Sequence, residues 1–128
     1  MKMSGRTALP QLLLLLVLLF FGTQMPGSWR EAVFQFTHLP SQVSELGHFV
    51  WFAALASTAR RPPMHWSVLQ VTQGALALAL LTEGLQIVAL GRNASWVDVG
   101  IDMLGAAMGL MVSVLQARFG KGIIKLTP

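Results

Sequence analysis

The fold of this chain is decided by residues 83–109, EGLQIVALGRNASWVDVGIDMLGAAMG, which join one long apolar segment to the next across a short polar turn. The stretch holds three of the five acidic residues of the protein, Glu83, Asp98 and Asp102. Glu83 and Asp102 lie inside segments that are otherwise typical of membrane spans. A carboxylate inside a lipid-embedded helix is energetically costly, so it indicates a functional site. The pattern predicts a polar site built around this turn.

Composition places the chain among membrane proteins. Apolar residues make up 54% of the 128 residues and charged residues only 11%, against roughly 25% in soluble domains. The length suits one domain, residues 1–128. The absence of cysteine excludes disulfides, thiolate metal sites and cysteine nucleophiles. The net charge of +4 does not indicate nucleic-acid binding, because the basic residues do not form one patch.

Long apolar segments predict an all-α fold, a polytopic membrane protein with a four-transmembrane-helix bundle. The predicted spans cover about residues 7–23, 41–59, 65–90 and 96–117. The first segment follows a basic start and could also be a secretory signal peptide, but the small-x-small cleavage pattern is missing, which favours an uncleaved span. Between the first two spans, Ser28 and Glu31 have the spacing of a capping box. Aromatic residues around them predict a short helix in the membrane interface.

The distribution of Lys and Arg predicts the orientation of the spans. One side, with both termini and the loop after the second span, carries seven basic residues: Lys2, Arg6, Arg60, Arg61, Arg118, Lys121 and Lys125. The other side carries two, Arg30 and Arg92. Because cytoplasmic loops are enriched in Lys and Arg, both termini are predicted to be cytoplasmic. The acidic residues all lie on or towards the outer side.

Three ionisable residues are predicted to lie at one depth in the outer leaflet. Glu83, Asp102 and His48 are each seven residues from the outer end of their helix, roughly 10 Å at a rise of about 1.5 Å per residue. Helical spacing places Glu83 on a packing face of the third span, with Gln86 one turn nearer the surface. In the fourth span, Gly105–Gly109 is a GxxxG match, which permits close approach of two helices.

The short turn makes the third and fourth spans antiparallel neighbours. Glu83 and Asp102 are then expected to face each other across a tight contact, where two carboxylates would not both ionise easily. Arg92, on the turn, is long enough to fold back over both carboxylates. These residues together predict a closed polar site that faces the extracytoplasmic side.

Two members of the cluster also have simpler interpretations. Asp98 could be the acid of a capping box that opens with Ser95. His48 could be a structural histidine bonded to a neighbouring backbone carbonyl. One histidine and two carboxylates could bind a divalent ion, but no HExxH or similar spacing supports a metal site, and no cofactor is predicted.

The spacing of these residues resembles the motif of the VanZ-like family, E-x2-Q, then R, then D-x3-N-x2-G-x3-G. The matched positions are Glu83, Gln86, Arg92, Asp98, Gly105 and Gly109. His48 and Phe49 are similar to the H-F element of that family, at the outer end of the preceding span. The resemblance covers about residues 40–115, most of the chain.

Two departures from the family pattern bear on the site. Asp102 stands where the family usually has Asn, which adds a potential charge. Ser44 and Glu45 replace an Asp-Lys pair, which removes the basic group that a lysine-dependent mechanism would need. The resemblance implies a small multi-pass protein of the bacterial cytoplasmic membrane. The family is named for an accessory of glycopeptide resistance that lowers susceptibility to teicoplanin, so it implies an architecture and a setting, and no particular reaction.

Three functions fit these observations. The first is binding or transport, in which the cluster holds a lipid headgroup or a lipid-linked envelope precursor and Glu83 or Asp102 carries a proton. Four spans are few for a transporter, so a homodimer is expected. The second is an intramembrane enzyme on a lipid-linked substrate, with His48 as acid/base. The third is a structural accessory, whose polar cluster only fixes helix register while a partner carries the activity.

Overall fold

Five α-helices make up the part of the chain that the computed structural model describes, residues 7–38, 40, 42–90 and 93–124. They are α1 (Ala8–Thr23), α2 (Gly27–Thr37), α3 (Gln42–Ala59), α4 (Val68–Leu90) and α5 (Trp96–Ile124). The described residues contain no β-strand. The predicted all-α class is confirmed, and each predicted helix is found close to its predicted position.

A capping box sets the start of α4. The backbone N–H of Ser67 donates to the side-chain oxygen of Gln70 at 2.9 Å, and the N–H of Gln70 donates to the hydroxyl of Ser67 at 3.2 Å. These reciprocal bonds satisfy two backbone donors that a helix start leaves open. The helix therefore begins at Val68, three residues after the predicted start of the third span. At the other end of the chain, α5 continues to Ile124, past the predicted end at residue 117.

The start of α2 differs from its prediction. Pro26 is the N-cap, and its carbonyl accepts the N–H groups of Trp29 and Arg30, both at 3.0 Å. Ser28 therefore lies inside the helix, which begins at Gly27 and has no side-chain cap. The predicted capping box at Ser28 is wrong, because the extended backbone of Pro26 (ψ 144°) already leads into the first turn.

Two of the described helices are long and apolar enough to cross a membrane. They contain Val68–Val88 in α4 and Trp96–Gly120 in α5, with mean hydropathies of 1.4 and 1.6. The helices α1 and α2 meet at a bend of 96° and would count as a third span only if they formed one broken segment. Alone, α1 has 16 residues, roughly 24 Å at 1.5 Å per residue, against a hydrocarbon core of about 30 Å. By length and hydropathy the described helices thus provide two or three spans.

The helix α3 lies in the middle of the bundle and contacts α1, α4 and α5. Its buried face includes Phe52, Leu55 and Ala56, which pack with Ala79 of α4 and Ala106 of α5. Much of the outer surface of the bundle is apolar, with exposed leucines, valines and phenylalanines on α1, α4 and α5. Such a surface is unusual for a soluble monomer and suits a lipid environment.

The closest helix contact joins α5 to α3. A Cβ built on Gly105 would overlap the backbone of Phe49, and a Cβ built on Gly109 would overlap the backbone of Ala53. The GxxxG pattern therefore does mark a tight contact, and its partner is α3, two helices earlier in the chain. This contact fixes which residues of α3 and α5 can meet.

Candidate functional site

A cavity of about 140 Å³ opens where four helix ends meet. They are the C-terminal ends of α1 and α4 and the N-terminal ends of α3 and α5. Polar residues dominate its lining, and we call it the polar cavity: Gly22, Thr23, Met25, Arg30, Ser44, Glu45, His48, Gln86 and Asp98. Three of the predicted site residues, His48, Gln86 and Asp98, are among them, so the structure brings together side chains from three helices that the sequence placed at one end of the bundle.

His48 and Asp102 form a direct pair between α3 and α5. The Nδ1 of His48 lies 3.0 Å from Oδ1 of Asp102, so an imidazole protonated on Nδ1 donates to this carboxylate. Asp102 is fully buried, and its Oδ2 has no hydrogen-bond partner among the described residues. The Nε2 of His48 has no protein partner in the same part of the chain, while the residue lines the polar cavity. The alternative that His48 bonds a backbone carbonyl is wrong.

Glu83 has a different partner from the one expected. Its Oε2 accepts the backbone N–H of Ser95 at 2.9 Å, at the start of α5, where backbone donors lack partners within the helix and the helix dipole favours a negative charge. Glu83 is 4% exposed, and its Oε1 has no hydrogen-bond partner in the described part of the chain. The two acids expected to face each other, Glu83 and Asp102, are thus each bonded elsewhere, because Asp102 pairs with α3.

Only half of the predicted capping box at the start of α5 forms. The N–H of Asp98 donates to the hydroxyl of Ser95 at 3.2 Å, as that motif requires. The return bond is absent, since the N–H of Ser95 donates to Glu83. Glu83 therefore replaces Asp98 in this role. The carboxylate of Asp98 makes no hydrogen bond to the described residues and lines the polar cavity.

Gln86 lies at the wall of the polar cavity. It is 4% exposed and has no hydrogen-bond partner among the described residues. Its amide atoms are not among the buried side-chain atoms of the described residues that lack a partner, which are Oε1 of Glu83 and Oδ2 of Asp102. The amide of Gln86 therefore reaches the space of the polar cavity, where it could bond to a molecule bound there.

Two arginines, Arg92 and Arg30, bear on the charge of the site. Arg92, predicted to fold over the carboxylates, lies outside the described residues. Arg30, on α2, lines the polar cavity, and its guanidinium lies 5.5 Å from the centre of the Phe34 ring. Arg30 could not be assigned to the site from its sequence position, because its place depends on the bend of 96° between α1 and α2. The distribution of Lys and Arg over the loops predicted only that Arg30 lies on the same side of the membrane as Arg92.

An apolar groove adjoins the polar cavity between α1 and α3. Its volume is about 340 Å³. We call it the α1/α3 groove, and it is lined by Leu18, Leu19, Gly22, Thr23, Ser44, Gly47, His48 and Trp51. Gly22, Thr23, Ser44 and His48 line both spaces. Trp51 also ties the two helices together, because its indole N–H donates to the carbonyl of Leu15 at 2.8 Å.

The geometry permits two kinds of chemistry. The polar cavity offers hydrogen-bonding groups and charges of both signs to a polar ligand, and His48, oriented by Asp102, could take up a proton on Nε2. Within the described residues, no group of three His, Asp or Glu side chains is arranged to hold a metal ion. Fold and site together define an all-helical protein with membrane-length helices and a polar cavity at one end. Comparison of the chain with protein-family models, curated proteins and solved structures gives no match.

Proposed function

We propose that this chain is a four-span protein of the bacterial cytoplasmic membrane whose polar cavity binds the polar part of an envelope lipid or of a lipid-linked cell-wall precursor. The observation that carries the proposal is the amide of Gln86, which lies on the wall of the polar cavity and makes no hydrogen bond to the described residues. A ligand that entered from the membrane could bond to this amide, and the adjoining α1/α3 groove offers it an apolar path.

The four-span arrangement adds α1 and α3 to the two longer helices. Because α3 contacts α1, α4 and α5, it presents less surface to lipid than a peripheral helix and can be less apolar. The bend of 96° after α1 would lay α2 close to the plane of the membrane surface, with Trp29 and Phe36 exposed there. Aromatic side chains favour this interface. A homodimer remains our expectation for a transport role.

The orientation follows from the basic residues. The positive-inside rule puts both termini in the cytoplasm and the polar cavity on the extracytoplasmic side. In the predicted topology, all of the acidic residues lie on or towards the same side as the polar cavity. An outward-facing cavity is suited to envelope lipids and to precursors that are handled outside the cytoplasm.

The resemblance to the VanZ-like family supports this setting. Its H-F element matches His48, and its Asn position is occupied by Asp102; these two residues are in contact at 3.0 Å. Gly105 and Gly109, also motif positions, hold α5 against α3 beside this pair. A motif whose residues meet in space is better support than spacing alone. On this basis we also propose a link to glycopeptide resistance.

Lipid mass spectrometry on the detergent-purified protein tests the proposal. We expect one lipid class to be enriched over the membrane extract and Gln86→Leu to lower that enrichment about fivefold, the equivalent of roughly 1 kcal/mol for a hydrogen bond. Gln73→Leu is the matched control, because Gln73 is an exposed glutamine on the same helix. Co-purified lipids that match the extract in the wild type would contradict the proposal.

An intramembrane enzyme is the second candidate, and the His48–Asp102 pair favours it. A carboxylate that fixes the orientation of an imidazole is the arrangement of a general base, here with Nε2 available at the polar cavity. Mass spectrometry distinguishes the two candidates. A binding protein returns its enriched lipid unchanged after incubation with the extract, whereas an enzyme yields a new product that His48→Gln abolishes.

A further inference from the structure

We propose that the ligand is a phospholipid with an ammonium-bearing, zwitterionic headgroup, which places its headgroup in the polar cavity and one acyl chain in the α1/α3 groove. This inference rests on the proposed function and specifies the ligand class and its orientation. It commits to a lipid rather than a free phosphate or a soluble amine, because the polar and apolar spaces adjoin.

The contact between the two spaces fixes the orientation of the ligand. Thr23, Ser44 and His48 line both, so they form the boundary at which a polar headgroup meets an apolar chain. The groove opens to the outside of the bundle, since Leu18 and Gly47 on its walls are exposed. A chain could therefore enter sideways from the bilayer while the headgroup moves into the cavity.

The charges on the walls of the polar cavity select the headgroup. Glu45 and Asp98 are two carboxylates that make no hydrogen bond to the described residues. Arg30 supplies one permanent positive charge on the same wall. An ammonium group complements the carboxylates, while a phosphate complements the guanidinium of Arg30 and the amide of Gln86. A purely anionic headgroup would leave the carboxylates unpaired and repelled.

The groove can be blocked without disturbing the helix packing. A Cβ on Gly47 would meet nothing within 4 Å, so Gly47→Leu would extend into the groove that this residue lines. Gly84 is the matched control, because its Cβ would also meet nothing within 4 Å, it is exposed on α4, and it lines neither the cavity nor the groove.

The experiment is a titration of the detergent-solubilised full chain, followed by native mass spectrometry. The probes are phosphatidylethanolamine, phosphatidylcholine and phosphatidylglycerol with identical acyl chains. We expect the wild type to bind phosphatidylethanolamine about tenfold more tightly than phosphatidylglycerol, the equivalent of one charge-assisted contact. The double variant Glu45→Gln/Asp98→Asn should lose this preference. Gly47→Leu should weaken binding of all three lipids about fivefold or more, and Gly84→Leu should bind as the wild type does.

The outcomes separate this inference from the proposed function. Equal or reversed preference for the two headgroups overturns the ammonium assignment, and unchanged binding by Gly47→Leu overturns the groove assignment. In either case the proposed function still stands if Gln86→Leu reduces lipid enrichment. If Gln86→Leu has no effect either, both fall. Phosphatidylcholine reports whether the ammonium must donate hydrogen bonds, since its quaternary nitrogen cannot; binding as tight as that of phosphatidylethanolamine supports recognition by charge.

Discussion

The His48–Asp102 contact joins the two helices at the site through one hydrogen bond. Asp102 is fully buried, and His48 is the only described side chain bonded to its carboxyl group. A buried polar group that loses its partner keeps the cost of desolvation, whereas removal of both partners is much less harmful. The pair therefore specifies how α3 and α5 are aligned at least as much as it adds to stability.

A double-mutant cycle measures the energy of this contact. His48→Phe should lower the free energy of unfolding by about 1–3 kcal/mol, because Asp102 is left buried without a partner. The double variant His48→Phe/Asp102→Leu should be more stable than the sum of the single effects predicts, by roughly 0.5–2 kcal/mol. Titration with SDS in mixed micelles gives these values. Asp102→Asn should be tolerated, since an amide oxygen can still accept from His48.

The control cycle pairs His48→Phe with Thr72→Val. Among the described residues, the hydroxyl of Thr72 donates only to the carbonyl of Val68, within α4. These two changes should be additive to within about 0.5 kcal/mol. Additivity in the His48 and Asp102 cycle as well would mean that their contact contributes nothing to folding.

At the scale of single residues, the sequence predicted which residues belong to the site better than it predicted which of them bond to each other. Burial of Glu83, Gln86 and Asp102 followed from acids and amides on apolar helices, and all three are buried. The pairing of Asp102 with His48 could not be derived, because it depends on how α3 is rotated about its axis. That rotation is set by a contact between helices far apart in the chain.

At the scale of the helices, Gly105 and Gly109 determine the site. Gly105 is one turn from Asp102 on the same face of α5, and a side chain at either glycine would push against the backbone of α3. Backbone atoms cannot move aside as the end of a flexible side chain can. A change at these glycines should therefore separate the helices and lengthen the His48–Asp102 contact.

We expect Gly105→Ala and Gly109→Ala each to lower the free energy of unfolding by about 1–3 kcal/mol, as overpacking does in well-packed interiors. Lipid enrichment should fall together with stability. Gly100→Ala is the control on the same helix: its Cβ would meet nothing within 4 Å, and the higher helix propensity of alanine should leave stability unchanged or slightly raised. Equal effects at Gly100 and Gly105 would contradict the close approach.

Helix starts show a related limit of prediction. The S-x-x-Q spacing of Ser67 and Gln70 is present in the sequence and matches the start of α4, whereas the predicted span starts at residue 65, two residues before Ser67. The start of α5 could not be read in the same way. Its capping carboxylate comes from Glu83, on the preceding helix, and local spacing favoured Asp98.

At the scale of the whole molecule, the proposed orientation can be measured directly. The chain has no cysteine, so a single introduced thiol has no background. Asn93→Cys should react with a membrane-impermeant maleimide in intact cells, because Asn93 is exposed at the cavity end of the bundle. Gly120→Cys, exposed near the opposite end of α5, should react only after the cells are opened. The reverse pattern would place the polar cavity on the cytoplasmic side.

The close contact of α5 with α3 also has a consequence for biosynthesis. Along the chain, α3 precedes the helix that supplies both its closest packing partner and the carboxylate for His48. When α3 has been synthesised and α5 has not, α3 contains a histidine, has modest hydropathy, and lacks both its packing partner and the carboxylate that bonds to His48. If α3 spans the membrane as we propose, we expect it to remain loosely inserted, or at the mouth of the translocon, until α5 emerges. Ribosome-bound chains that end before α5 should then leave a cysteine at Ala53 open to water-soluble reagents, and longer chains should protect it.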